Sequence, residues 1–230
     1  MTSFINKIIT SSTEYFRDQK KKLLGEIGST TYIVKEERSS EGIDGRAIVY
    51  LDPKSHIAEQ FRIMRTNIRS LSPDRPLKSF VVTSALRGEG KTTTACNVSL
   101  AFSQEHDIKT LLIDCDLRKP GVHKMFGISR EPGLTDVVVN KIGLDAVLSK
   151  PVVGNLYALP AGTSMPNPSE ILNSSGIRKV IADLKQRFDY IFFDCAPIVP
   201  VTDAGVLGAQ LDGTILTVRA ASTGALDIER

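Results

Sequence analysis

A glycine-containing loop stands between a short apolar run and a helix-like segment, and this order constrains the fold more than any other feature. The segment Ala85-Leu-Arg-Gly-Glu-Gly-Lys-Thr92 directly follows Phe80-Val-Val-Thr83. Glycines at 88 and 90 let the backbone bend so that successive N–H groups point at phosphate oxygens, and the following helix adds the positive end of its dipole. The pattern predicts a phosphate-binding P-loop for a nucleoside triphosphate. The residues expected at the nucleotide are Arg87, Gly88, Glu89, Gly90, Lys91, Thr92 and Thr93.

The remainder of the chain alternates between short apolar runs and helix-like stretches. Buried strands are predicted at residues 79–84, 110–114, 155–159, 189–194 and 213–218. Helices are predicted at residues 56–71, 91–104, 169–187 and 203–210. Such alternation indicates an α/β fold, with a mostly parallel sheet and helices on both faces. Ligands bind these sheets at the carboxyl ends of the strands, which is where the P-loop begins.

Composition narrows the classes of protein that the chain can belong to. Its 230 residues are 41% hydrophobic and 24% charged, which suits one α/β domain with an appendage. The net charge of +3 is too small and too spread to favour a nucleic-acid partner. No stretch approaches the roughly 20 apolar residues of a membrane span, and no secretory signal is visible, so a cytoplasmic location is expected. Scattered cysteines (96, 115, 195) and histidines favour reduced thiols over disulfides or a zinc site.

The hydrophobic pattern divides the chain near residue 48. Residues 1–47 are predicted to form a polar N-terminal arm and linker, and residues 48–230 the P-loop domain. A Ser/Glu/Gly-rich segment at residues 36–45 has the composition of a linker. An amphipathic helix is predicted in the arm from its apolar residues Phe4, Ile5, Ile8, Ile9, Leu23 and Leu24.

Two further apolar runs end in acidic residues. Residues 111–113 lead into Asp114 and Asp116, which are separated by a single cysteine. Two close carboxylates beside a triphosphate repel one another unless a cation intervenes, and Mg²⁺ is the natural one. A strand-end turn in which Asp116 caps the next segment is the alternative. Residues 190–193 lead into Asp194, which has the Walker B form and is expected to hold the Mg²⁺ shell.

Together these motifs resemble the bacterial tyrosine kinases (BY-kinases) of capsule and exopolysaccharide systems, which are similar in fold to the Mrp/MinD/ParA ATPases. The resemblance rests on the P-loop, on the Asp-x-Asp-x-Arg segment that ends at Arg118, and on the Asp-x-x-Pro segment that ends at Pro197. The MinD/ParA group carries a signature lysine five positions before the P-loop lysine, where this chain has Leu86.

Further segments look like those of the kinase family and extend the resemblance to about residues 50–228. Residues 133–137 and 167–172 are two of them. A third resembles the family's ExxRxxR helix, which mediates ring-like self-association, and this assigns Glu59, Arg62 and Arg65 to an oligomer interface. From the residues alone, their spacing of three favours a solvated charged helix face.

The resemblance implies an ATP-dependent protein-tyrosine kinase that regulates capsular or exopolysaccharide synthesis and export. A tyrosine hydroxyl with a pKa near 10 is a poor nucleophile at neutral pH, so a carboxylate has to accept its proton. By family analogy Asp114 is this base, although the analogy does not separate Asp114 from Asp116. The other implied roles are Mg²⁺ binding by Thr92, Asp116 and Asp194, neutralisation of the transferred group by Lys91, and α-phosphate binding by Thr93. Arg118 either contacts phosphate or substrate, or pairs with Asp116.

The resemblance also implies a partner in the membrane. Family kinases are commonly activated by the cytosolic tail of a membrane polysaccharide chain-length regulator, so recruitment to the inner face of the membrane is expected. Protein tyrosines are the implied substrates. The five tyrosines of this chain (15, 32, 50, 157, 190) include no C-terminal cluster of the kind that family members phosphorylate on one another. The last strand of the family pattern is missing, so the domain is expected to be truncated at its C-terminal end.

Two other functions stay open. A MinD/ParA-like switch ATPase fits the missing tyrosine cluster, but Leu86 weighs against it. A nucleotide-gated scaffold of a polysaccharide assembly complex needs no catalysis, and the presence of Lys91 together with the three acids weighs against it.

Overall fold

The computed structural model describes residues 4–9, 39, 42–72 and 75–219, and in residues 4–9 it describes the backbone only. The strands are β1 (Phe4–Ile9), β2 (Ser79–Ser84), β3 (Thr110–Asp114), β4 (Leu156–Leu159), β5 (Tyr190–Asp194) and β6 (Gly213–Arg219). The helices are α1 (Ile48–Leu51), α2 (His56–Ser70), α3 (Lys91–Ser103), α4 (Val122–Phe126), α5 (Leu134–Val138), α6 (Leu144–Val147), α7 (Pro168–Leu172), α8 (Ser175–Arg187) and α9 (Asp203–Gly208).

The strands form one sheet in the order β1-β6-β2-β5-β3-β4. Strands β2 to β6 are parallel, and β1 pairs antiparallel with β6 at the edge. In the pairing of β3 with β5, Asp114 lies opposite Asp194. Since β2 is the other neighbour of β5, the loop after β2 and the acids that end β3 and β5 meet at one edge of the sheet.

Hydrophobic cores cover both faces of the sheet. Alternation along β2 directs Phe80 and Val82 into the core beneath α1–α4, and Val81 into the core beneath α5–α9. In the first core the Phe102 ring of α3 lies 5.2 Å from the Phe192 ring of β5. Because both faces are buried, the strands are continuous apolar runs in the sequence, as is usual for parallel sheets.

The α/β fold predicted from the sequence is confirmed, and β2 to β6 begin and end within one residue of their predicted positions. Residues 169–187, however, are not one helix. The structure divides them into α7 and α8, because Ser174 caps the start of the second helix by accepting a hydrogen bond from the Ile177 N–H at 3.2 Å. Ser174 also donates to the Ile171 carbonyl at 2.8 Å, so one side chain serves both helix ends.

The amphipathic helix predicted from Phe4–Ile9 is wrong, because these residues form β1. The outer edge of β6 offers unpaired backbone groups, and a short segment rich in isoleucine satisfies them better as a strand than as an isolated helix. Leu23 and Leu24, assigned to the same helix, lie outside the described residues. The boundary near residue 48 stays a prediction; Ile43 and Ala47, just before it, are buried in the first core. Among the described helices none is long and apolar enough to cross a membrane.

Candidate nucleotide-binding site

The P-loop connects β2 to α3 through two glycines with left-handed backbone. Gly88 and Gly90 have φ angles of +80° and +84°, which residues with a Cβ rarely adopt. Gly90 caps α3 without a side chain that could bond its first N–H groups. The N-terminus of this 13-residue helix therefore presents its backbone donors to the loop. Such an arrangement suits a phosphate group.

Lys91 lies in an ionic cluster built from three chain segments. Its Nζ is 2.7 Å from Asp116 Oδ2 and 3.8 Å from Asp194 Oδ1. Thr92 donates its hydroxyl to Asp194 Oδ2 at 2.6 Å. The structure thus brings together four of the residues that the motifs single out, although Asp194 is 102 positions from Thr92.

Asp114 occupies a deeper position than Asp116. Its Oδ2 accepts hydrogen bonds from the backbone N–H groups of Gly121 and Val122, both at 2.9 Å. Its Oδ1 is buried and has no hydrogen-bond partner among the described residues. Asp116 lines the cleft and contacts Lys91, whereas Asp114 is fully buried.

Burial and mutual repulsion shift the acid–base equilibria of the site. Burial raises the pKa of Asp114 to about 7, and the charge of Asp194 adds to the increase. Burial raises the pKa of Asp194 to about 6, against the opposing effect of Lys91 and the Thr92 hydroxyl. For Lys91, burial lowers the pKa, but Asp194 and Asp116 outweigh it, so the pKa ends above its ordinary value. The cluster of Asp114, Asp116 and Asp194 therefore holds more acidic groups than Lys91 neutralises, which favours a further cation.

The carboxylates fit a Mg²⁺ ion whose coordination is completed by nucleotide and water. Within the described residues, no group of three or more His, Cys, Asp or Glu side chains is arranged to hold a metal on its own. Mg²⁺ in phosphate sites commonly takes one or two protein carboxylates together with phosphate oxygens and waters. Asp194 Oδ1 is buried without a hydrogen-bond partner in the described part of the chain, and it lies beside the Thr92 hydroxyl and Asp116. Asp194 and Asp116 thus supply the one or two carboxylates that such a Mg²⁺ site needs, and Thr92 adds a hydroxyl.

An open cleft extends outward from Lys91. Cationic side chains line it together with Asp116, namely Arg87, Lys91, Arg118 and Lys119. Apolar residues after β5, including Ala196 and Pro197, form another part of the wall. The combination of cations, N–H donors and an acid suits a polyphosphate accompanied by a metal ion.

Arg118 does not pair with Asp116, which was one of its two expected roles. Its Nη2 donates to Ser169 Oγ at 2.9 Å, and its Nε lies 3.5 Å from Asp203 Oδ2. Ser169 donates to Asp203 Oδ1 at 2.6 Å. Its other expected role, contact with phosphate or substrate, stays a prediction. Sequence reasoning missed Asp203, because an acid in the first turn of a helix is a common capping feature.

The charged residues of the ExxRxxR helix bind within the same chain. Arg62 donates to Glu59 Oε2 at 2.8 Å and also to the carbonyl of Pro53. Arg65 donates to the Ala101 carbonyl at 2.6 Å, and its Nε lies 3.1 Å from Glu105. The contacts of Arg65 attach α2 to the end of α3. The role of Glu59, Arg62 and Arg65 in self-association stays a prediction.

The segment at residues 133–137 is built around a buried carboxylate. Asp136 accepts hydrogen bonds from the Gly133 N–H at 2.8 Å, the Thr163 hydroxyl at 2.7 Å and the Asn140 side chain at 3.0 Å. Burial alone would raise its pKa, but the Thr163 hydroxyl and the backbone N–H of Gly133 outweigh burial, so the pKa is lowered. The contacts of Asp136 with Thr163 join α5 to the segment that follows β4.

The three cysteines are free and buried. Burial raises the pKa values of Cys96 and Cys115 well above the ordinary thiol range. A raised pKa keeps a thiol protonated at neutral pH, so Cys96 and Cys115 are expected to be poor nucleophiles.

The fold and the site define a P-loop NTPase of the α/β class. A family model described as "AAA domain" matches residues 78–221. The tyrosine-protein kinase YwqD of Bacillus subtilis is 40% identical over 176 residues, which cover 76% of this chain and 74% of that protein. The tyrosine-protein kinase CpsD of Streptococcus pneumoniae is 37% identical over 174 residues, which cover 75% of each protein.

The chain therefore belongs to the bacterial tyrosine kinases, the family that its motifs resemble. The solved kinase domain of the Escherichia coli tyrosine kinase ETK superposes with a TM-score of 0.77 at 25% identity, over 86% of this chain and 76% of that domain. A ParA family ATPase from Chlorobium tepidum, at 20% identity and a TM-score of 0.50, shares the fold alone, over 60% of this chain and 58% of that one. Both the family and the class of enzyme, a protein-tyrosine kinase, are confirmed.

Proposed function

We propose that this kinase transfers the γ-phosphate of Mg²⁺-bound ATP to protein tyrosines and thereby regulates the synthesis and export of a capsular or extracellular polysaccharide. One observation carries the chemical part: Lys91 and Thr92, at the start of α3, converge with Asp116 and Asp194 at the carboxyl edge of the sheet. Phosphoryl transfer depends on positioning and charge stabilisation, and this cluster supplies both.

The residues divide the work by position. Backbone N–H groups of the P-loop and Lys91 hold the β- and γ-phosphates, while Thr92 and Asp194 hold Mg²⁺ with help from Asp116. A Mg²⁺ ion held by these residues would supply positive charge to offset the negative charge that develops during transfer. Asp114, whose pKa is raised to about 7 by burial and by the charge of Asp194, is the proposed acceptor of the tyrosine proton.

The proposed partners are inferred from the similarity of this chain to its relatives. A solved neighbour at 30% identity and a TM-score of 0.69 is described as the chimerical protein CapA2B2. We propose that this chain is switched on by a partner, the cytosolic tail of a membrane chain-length regulator, which recruits it to the inner face of the membrane. Self-association through Glu59, Arg62 and Arg65 would place tyrosines of one copy near the cleft of another.

Phosphotyrosine mapping tests the proposal. Wild type, Lys91→Met and the matched exposed control Lys179→Met are incubated with Mg²⁺-ATP and a candidate regulator tail. Wild type and the control are expected to phosphorylate tyrosine, while Lys91→Met loses about 100-fold or more of the rate, the usual cost of removing one charge-stabilising donor. ATP consumption without modified tyrosine on any protein would instead support a switch ATPase. Nucleotide binding with neither reaction would support a scaffold.

A further inference from the structure

The P-loop is held from outside by the end of β6. Glu89 lies between the two left-handed glycines, and only 3% of it is exposed. Its Oε2 accepts a hydrogen bond from the Leu86 N–H at 2.6 Å, which closes the loop on itself. Its Oε1 accepts from the backbone N–H of Arg219 at 3.3 Å. The guanidinium of Arg219 donates to the Gly88 carbonyl at 2.6 Å.

We propose that Glu89 and Arg219 are positioning residues that clamp the P-loop in its phosphate-binding shape. The proposal rests on the proposed function of this loop in binding nucleotide. Glycines at 88 and 90 permit many backbone conformations, so a loop without external contacts loses entropy when it closes around phosphates. A clamp that orders the loop beforehand removes this cost from the binding step.

The charge of Glu89 does not account for such a role. A carboxylate beside a polyphosphate repels it, so a direct electrostatic effect of Glu89 would weaken nucleotide binding. Its carboxylate is also engaged by backbone N–H groups on both oxygens. What Glu89 contributes is therefore geometry, and removing it is expected to weaken binding even though a repulsive charge disappears.

The clamp also links the P-loop, which follows β2, to the end of the neighbouring strand β6. Arg219 is 130 positions from Glu89, and it is the last residue of β6. The contact with Glu89 uses the backbone N–H of Arg219, so a shift of the strand end opens that contact even when both side chains are intact. Nucleotide affinity thus becomes sensitive to the position of β6.

Calorimetric titration with Mg²⁺-ADP and with a Mg²⁺-bound non-hydrolysable ATP analogue tests the clamp in wild type, Glu89→Gln, Arg219→Met and the double variant. Each single change is expected to weaken binding about tenfold or more, as loss of a charge-assisted hydrogen bond does. The double variant should bind nucleotide no more weakly than the weaker-binding single variant, because both changes break the same clamp. Exposed control variants, Glu131→Gln and Arg75→Met, should bind like wild type.

A second readout separates positioning from general damage to the fold. The variants are expected to unfold, without nucleotide, within a few degrees of wild type, to raise KM for ATP, and to keep kcat when ATP is saturating. The clamp would be overturned if Glu89→Gln bound nucleotide as tightly as wild type or more tightly. It would also be overturned if the losses of affinity in the two single variants added up in the double variant, or if kcat at saturating ATP fell as much as the affinity did. Failure of wild type to bind either nucleotide would overturn the proposed function together with the clamp.

Discussion

The hydroxyl of Thr92 donates to Asp194 Oδ2 at 2.6 Å, which joins the first turn of α3 to the end of β5. Both residues are proposed ligands of the same Mg²⁺ ion. The hydrogen bond orients the Asp194 carboxylate, whose Oδ1 has no such partner in the described residues. In the proposed site Thr92 would therefore act on the metal twice, as a ligand and as the group that orients a second ligand.

Replacing Thr92 by valine is expected to raise the Mg²⁺ concentration needed for half-maximal kinase activity by about tenfold or more, the usual lower cost of losing a group that orients a metal ligand. Thr92→Ser keeps the hydroxyl and should stay close to wild type. Titration of activity with Mg²⁺ at fixed ATP measures the effect. An unchanged Mg²⁺ requirement in Thr92→Val would remove Thr92 from the metal site.

The rate of tyrosine phosphorylation is expected to depend on pH through Asp114. A base must be deprotonated to accept a proton, and the pKa of Asp114 is raised to about 7 by burial and by Asp194. The value of kcat/KM should thus rise with pH up to about 7 and then level off. Asp114→Asn should lose this rise along with most activity, whereas the residual activity of Asp116→Asn should keep it. The opposite result would make Asp116 the base.

Strands β2 to β6 and the members of the ionic cluster around Lys91 were predictable because each depends on local sequence. Strands buried on both faces are continuous apolar runs, and Lys91, Thr92 and Asp194 belong to motifs of fixed spacing. Strand β1 was mispredicted, since its conformation depends on a partner strand more than 200 positions away, as in the pairing of Phe4 with Arg219.

Contacts between distant side chains were not predictable either. Arg118 meets Ser169, 51 positions away, and Glu89 meets the backbone of Arg219, 130 positions away. No local pattern encodes such pairs, because they exist only after the sheet has assembled. Arg118 and Glu89 were accordingly named from the sequence, whereas their partners Asp203 and Arg219 were missed.

Asp136 is expected to make stability depend on pH. Its lowered pKa, which the Thr163 hydroxyl and the Gly133 N–H impose against the effect of burial, means that the folded state favours the charged form. The resulting stabilisation is present above the ordinary aspartate pKa of about 3.9 and is lost as pH falls through the lower folded value. Asp136→Asn should lower the free energy of unfolding by about 1–3 kcal/mol at pH 7 and by less in acid. Urea denaturation at pH 7 and in acid measures the free energy of unfolding, with the exposed Asp52→Asn variant as control. An equal loss of unfolding free energy under the two conditions would contradict the prediction.

Gly133→Ala is expected to destabilise the fold by steric conflict. A Cβ at this position would lie 2.3 Å from the Pro160 carbonyl oxygen and 2.4 Å from the Gly162 nitrogen, and both are backbone atoms. The predicted loss of unfolding free energy is about 2 kcal/mol or more. Gly205→Ala is the matched control, because its Cβ would meet nothing within 4 Å and alanine favours the helix. Thermal and urea unfolding compare the two, and equal stability would show that the backbone relaxes around the new methyl group.

Strands β3 and β5 align so that Asp114 lies opposite Asp194. Sliding one strand by a single residue would turn its apolar side chains to the opposite core and would also separate the two acids. Mutations that loosen this alignment are thus expected to lower the free energy of unfolding as well as to separate the two acids. Packing in the two hydrophobic cores therefore also fixes the relative position of Asp114 and Asp194.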